Sequence, residues 1–329
     1  MNKLLKLSVA LIAASGIAFA DTQLTDSISV GGFVDMSYTD GDNARESTSG
    51  IDQVEFDFSF DNGGKATAQV DIEYENGIGG VGVEEAYIDY ALSDNAYITV
   101  GRFETMMLQD GSEPTDLYQY SNAYDFFGTN INAFLHDLGD QGIKYTNGNF
   151  AVSIVDNGDD KIGDGDTFNG DLTGDYSIEL GYTAALSDNL TAFIGARMYE
   201  AEVQNVNADG DIVNLHLTYE EGPWVIGGEI VMVDAEAAAL AAADDDLDLF
   251  QIFANYSYNE NNSLTFRYSE AELSAEGVAD VDLDKFTIAH NSALSHDLGL
   301  VIEYSMEDGS DGTISVDQDI LAVELIYAF

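Results

Sequence analysis

The residues whose spacing could carry chemistry are charged side chains on one parity of alternating segments. Arg102, Lys144, Arg197, Arg267 and Lys285 occupy that parity, and so do Glu55, Asp57, Asp71, Glu73 and Asp89. Asp35, Glu85, Glu179, Glu229, Glu303 and Glu324 share it. Fixed charges of both signs around trapped water sort ions and orient dipoles through their field, without making or breaking a bond. Bond-making chemistry lacks its parts. With no cysteine there is no thiol nucleophile and no thiolate metal site. The four histidines, His136, His216, His290 and His296, form no His-x-x-x-His or His-x-x-Glu-His pair, and no Gly-x-Ser-x-Gly elbow occurs. No catalytic residue is assigned and no enzyme is expected. The stretch 156–175 is dense in Asp, Asn and Gly, and Asp164, Asp166 and Asp171 are weak Ca²⁺ candidates there. Its spacing misses the Ca²⁺-loop pattern, and a solvated loop is the plainer reading. No cofactor is expected otherwise.

Such charges need an element that sends alternate side chains to opposite faces, which a β-strand does. Val54, Phe56, Phe58 and Phe60 face one way; Glu55, Asp57, Ser59 and Asp61 face the other. Asp61-Asn-Gly-Gly64 then signals a tight hairpin, and Ala66 to Tyr74 repeats the alternation. Sixteen such segments run from 28–38 to 318–329, among them 52–61, 83–92, 189–201, 211–220 and 297–306. Most have roughly the 9–11 residues a tilted strand needs to cross a bilayer. Short turns such as Ser93-Asp-Asn95 and Ser187-Asp-Asn189 alternate with longer acidic, Gly-rich connections. An antiparallel transmembrane β-barrel has short turns at one end, long loops at the other and an even strand number. A soluble β-sandwich would also alternate, but its aromatic residues would enter the core. Here the outward aromatics cluster near strand ends (Tyr38, Tyr74, Tyr90, Trp224, Tyr258, Tyr304), where membrane interfaces hold amphipathic rings.

The two ends agree. Lys3 and Lys6 precede an apolar run, and Ala18-Phe-Ala20 precedes Asp21, so residues 1–20 read as a secretory signal peptide cleaved between Ala20 and Asp21. Residues 21–329 form the barrel domain. Leu321, Val323, Leu325, Tyr327 and Phe329 give the last strand one uniformly apolar face, as barrel closure requires. No segment is apolar for 18 residues, which excludes a transmembrane helix. The chain has 10 Lys+Arg against 61 Asp+Glu, so it repels nucleic acid and favours cations. Losing the leader, with its two lysines, moves the formal charge from −51 to −53.

Leader, sixteen strands, terminal Phe329 and one outsized connection, Glu104 to Asp140, together resemble the Gram-negative general porins. Val100-Gly-Arg102-Phe103 is similar to the strand end that leads into the third external loop of that family. The family's Pro-Glu-Phe-Gly-Gly loop motif is absent, and Asp125-Phe-Phe-Gly128 is a loose echo of it. The resemblance implies that segment 104–140 folds inward and narrows the lumen, with Glu104, Asp110, Glu113, Asp116 and Asp125 as its acids. These are expected to oppose a basic wall of Arg102, Arg197 and Arg267. The resemblance also implies a homotrimer in the outer membrane, with lipid and lipopolysaccharide around it. It makes Tyr327 and Phe329 the signal read by the barrel-assembly machinery. The implied activity is passive diffusion of small hydrophilic solutes, and the acidic lining points to a preference for cations. Two other readings stay open: a substrate-specific channel for sugars or organic acids, and a non-conducting structural or adhesive barrel.

Overall fold

The computed structural model describes residues 22–42, 47–75, 81–108, 113–131, 140–156, 176–203, 206–236, 245–275 and 279–329. Sixteen wall strands are β1 (Ile28–Gly41), β2 (Thr48–Asp61), β3 (Ala66–Glu75), β4 (Val81–Ser93), β5 (Ala96–Phe103), β6 (Asp140–Asn147), β7 (Phe150–Asp156) and β8 (Tyr176–Ala185), then β9 (Leu190–Val203), β10 (Val206–Glu221), β11 (Trp224–Glu236), β12 (Asp245–Asn259), β13 (Asn262–Ala275), β14 (Val281–Ala293), β15 (Leu298–Ser310) and β16 (Ser315–Ala328). Each pairs antiparallel with the next. β16 closes on β1 from Ile320↔Gly41 to Ala328↔Phe33. Closure removes the unpaired strand edges that a bilayer would not tolerate. A four-residue strand, Thr22–Thr25, pairs with the start of β1.

The alternation read from the sequence sorts onto the two faces. Ile88, Ile154 and Ile194 are more than half exposed on the outside, whereas Glu179, Arg197 and Glu229 are almost wholly buried inside. In β16, Leu321 and Tyr327 point out while Ala322, Glu324, Ile326 and Ala328 are enclosed. Phe329 continues the seam: its N–H donates to the Gly32 carbonyl, and its ring lies 5.5 Å from that of Phe56.

Several strands run further outward than their apolar pattern. β2 begins at Thr48 instead of 52. β9 and β10 stay paired up to Val203↔Val206, where a long loop is expected between 201 and 211. β15 and β16 meet across Asp311–Ile314, whose Asp311 carboxylate accepts from the Thr313 and Ile314 N–H groups. Asp and Gly are poor strand formers, but a strand extends wherever its neighbour offers a ladder. The leader and its cleavage site, Ala20–Asp21, lie outside the described residues, as do Asp110, Asp164, Asp166 and Asp171.

Candidate functional site

The segment after β5 turns into the barrel. The Glu104 N–H donates to Glu85 Oε1 at 2.6 Å, and the Thr105 hydroxyl donates to Glu179 Oε1 at 2.6 Å. Past the short turn Pro114–Asp116 the chain crosses the lumen and lies along the inner wall of β11–β15. There the wall supplies donors to the segment's carbonyls. Thr265 Oγ1 and Asn291 Nδ2 each donate to the Tyr118 carbonyl at 2.8 Å. Arg267 Nη2 donates to Ser121 Oγ and the Asn122 carbonyl at 2.9 and 3.0 Å. Lys285 Nζ donates to the carbonyls of Asn122, at 2.6 Å, and Asp125. In return, Glu303 and Glu307 accept the N–H groups of Ser121 and Phe127 at 3.1 and 2.7 Å. A buried backbone needs such partners, because each unmet group costs about 1–3 kcal/mol.

Apolar packing adds to this clamp. Met107, Ala123, Tyr124 and Phe126 of the segment meet Ile212, Val231, Val233, Leu247, Leu249 and Ala271 on the lumen face of β10–β13. The Asp125-Phe-Phe-Gly128 stretch forms a two-residue hairpin there, pairing Asp125↔Asn130 and Phe126↔Thr129. Phe127 and Gly128 both take positive φ, 52° and 77°. Positive φ at both central residues is the hairpin geometry that glycine favours.

The opposite wall carries carboxylates. Glu55↔Glu73 and Asp57↔Asp71 sit directly across from each other on β2 and β3. Two β-bulges enrich this surface. Between Val70↔Ala86 and Ile72↔Val83, two residues of β4, Glu84 and Glu85, oppose one residue of β3, Asp71. A bulge reverses the parity of the strand, so outward Val81 and Val83 give way to outward Ala86 and Ile88, and both glutamates face inward. Between Asp35↔Gln53 and Met36↔Ile51, Asp52 is likewise inserted into β2. Simple alternation assigns Glu84 to lipid and misses both insertions. Gly101 lets β5 press against β4 beside this bulge: its φ is +135°, and a Cβ there would lie 2.2 Å from the Ala86 carbonyl oxygen.

Among the described residues, Asp125 lies near the wall base Lys285, but no described contact pairs Glu113 with a wall base. Glu113 meets the acidic wall instead. Gln53 Nε2 donates to both its oxygens at 3.4 Å, and carboxylate oxygens of Glu55, Glu84 and Glu113 lie within 4.8 Å of one another. Glu55, Asp57 and Asp71 form a second such group. The five strand bases have other described contacts, and Lys144 also lies near Glu85 of the acidic wall. Arg197 pairs with Glu179 at 3.4 Å, Arg102 Nε donates to the Glu84 carbonyl at 2.7 Å, and Lys144 lies 4.3 Å from the Phe103 ring centroid. Arg267 and Lys285 hold the segment's backbone, with Asp125 contributing its carbonyl. Asp89 accepts from Thr99 at 2.5 Å and belongs to neither carboxylate group. For Asp116 only the backbone is described. Tyr327 is exposed on the outer face.

A closed sixteen-strand barrel with an apolar exterior, a charged interior and a segment folded inside it is a transmembrane channel of the outer-membrane type. The sequence matches the Gram-negative porin family over residues 8–312, and the chain belongs to that family. Outer-membrane localisation and transport by diffusion follow from that membership, and it points to a channel rather than an enzyme. Among solved structures, outer-membrane-expressed OmpT of Vibrio cholerae superposes with a TM-score of 0.66 at 15% identity, covering 94% of this chain and 100% of that one. The outer-membrane channel DcaP of Acinetobacter baumannii gives 0.65 at 13%, covering 95% and 100%. Salmonella typhi OmpF in complex with daunomycin gives 0.63 at 13%, covering 94% and 100%. An in-vitro folded OmpT described as a trimer form gives 0.64 at 15%, covering 92% and 99%. At these identities the likeness is one of fold. A search of curated proteins gives no match to the sequence.

Proposed function

We infer that this porin is a general diffusion channel for small hydrophilic solutes and that it prefers cations. One observation carries the preference: Glu55, Asp57, Asp71, Glu84 and Glu113 converge beside the inward segment, while Arg197, Arg267 and Lys285 are bound to a wall acid or to the segment itself. A patch of carboxylates that no base pairs with among the described contacts lowers the barrier for cations and raises it for anions. Reversal potential in a KCl gradient across planar bilayers tests this. A potential of the cation-selective sign is expected, and the anion-selective sign overturns the reading.

The same reading makes the channel a homotrimer, by analogy with the trimer form of OmpT. It also places lipopolysaccharide around the outer girdle and has the assembly machinery read Tyr327 and Phe329. Cross-linking in native outer membranes would give a three-subunit limit. A specific channel for sugars or organic acids would depart from size-only dependence in a liposome-swelling series. A structural barrel would stay silent in single-channel recordings.

A further inference from the structure

We propose that Glu55, Glu84 and Glu113 form a divalent-cation site inside the lumen, of the hard-oxygen kind that takes Ca²⁺. The site rests on the reading of this lumen as a cation path and adds an occupant to it. Oxygens bound to one Ca²⁺ at roughly 2.3–2.6 Å lie at most about 4.6–5.2 Å apart. The three carboxylates already offer oxygens within 4.8 Å of one another. They come from three separate places: β2, the bulge of β4, and the inward segment. None is held by a side-chain cation among the described contacts.

A second observation points to a ligand. Glu55 is 6% exposed, and its Oε2 has no hydrogen-bond partner. It belongs to both carboxylate groups, with Glu84 and Glu113 on one side and Asp57 and Asp71 on the other. A buried carboxylate oxygen without a partner carries a desolvation cost that a bound cation removes. Protonation is the competing way to relieve the same crowding. The backbone bulge bears on the choice, because it brings Glu84 round from the lipid face into the group. An ion here would also tie the segment to β2 and β4, opposite the Arg267 and Lys285 clamp.

The test uses full-length protein folded without lipopolysaccharide, which itself binds Ca²⁺. Two measurements are made: calorimetric titration with CaCl₂ in detergent, and KCl conductance in planar bilayers as Ca²⁺ is added. Saturable binding is expected at about 10⁻⁴–10⁻³ M, the range of extracellular Ca²⁺ modules, with K⁺ conductance falling over the same range. Glu55→Gln and Glu84→Gln, each checked for a folded barrel, should weaken both effects about tenfold, since ligand charge tunes affinity. Glu270→Gln, at an exposed position on β13, should leave them unchanged. Absence of binding, or a Ca²⁺ effect equal in wild type and Glu55→Gln, overturns the site and leaves protonation as the relief. Reversal potential in Ca²⁺-free KCl reports separately on the cation path, so failure of the site and failure of the path are distinguishable.

Discussion

The two inner walls of this barrel solve opposite problems. On β11–β15 the lumen face is covered: Arg267, Lys285, Thr265 and Asn291 meet backbone carbonyls, and Phe126 and Tyr124 bury an apolar patch. On β2–β4 the lumen face keeps its carboxylates together, with Glu113 reaching back to them. Charges of both signs hold the segment on the covered wall, where Glu303 and Glu307 accept its N–H groups beside the Arg267 and Lys285 donors, whereas the carboxylates of β2–β4 line what remains. Opposite charges on a wall therefore do not have to create a field across the gap. They can be consumed by a local structural contact, and only the surplus shapes the path of an ion.

The comparison yields separable outcomes. Phe126→Ala removes the centre of the covered wall and should cost about 3–5 kcal/mol, as other buried Phe→Ala changes do. Thermal unfolding in detergent should fall, and single-channel current should become larger and noisier. Unchanged current would mean that polar contacts alone hold the segment. Arg267→Met strips Ser121 and Asn122 of a donor and should cost about 1–3 kcal/mol, read by the same melting experiment and by faster proteolysis of the segment. Neither substitution should reverse ion preference. Glu84→Gln should do the converse: melting within about 1 kcal/mol of wild type, but a smaller reversal potential in a KCl gradient. A large loss of stability there would erase the distinction between the two walls.

The smallest effect is on pH dependence. Burial, then the neighbouring Glu55 and Glu84, holds the Glu113 carboxyl well above the usual carboxylate range. A carboxyl raised in this way binds its proton more tightly folded than unfolded. Its contribution to stability is thus greatest at low pH and falls as pH climbs from the ordinary carboxylate range to the raised folded value. Cation preference should grow over the same window as Glu113 ionises. Glu113→Gln should flatten both trends, which melting and reversal potential against pH would check.

Particular residues mark what alternation could and could not reveal. Glu55, Asp57, Asp71 and Glu73 were legible as lumen residues because their strand parity is uninterrupted there. Glu84 and Asp52 were not, because a bulge is an extra residue relative to a partner strand, and one strand read alone has no partner. The covered wall left a weak trace. In Asp246-Leu-Asp-Leu249 the apolar parity inverts relative to Phe250 and Ile252, placing acids outside and leucines inside at the outer end of β12. An inversion without a bulge signals that something apolar fills the lumen at that level.

The one-dimensional pattern was enough to establish the barrel, its sixteen strands and its lipid face, because solvent on either side of a sheet imposes a period of two that every strand must repeat. The path of segment 104–140, the use of Arg267 and Lys285 as backbone donors, and the meeting of Glu113 with Glu55 and Glu84 emerged only from the folded chain. Each depends on atoms far apart in sequence arriving within hydrogen-bond or ion-binding distance, and no local period encodes that.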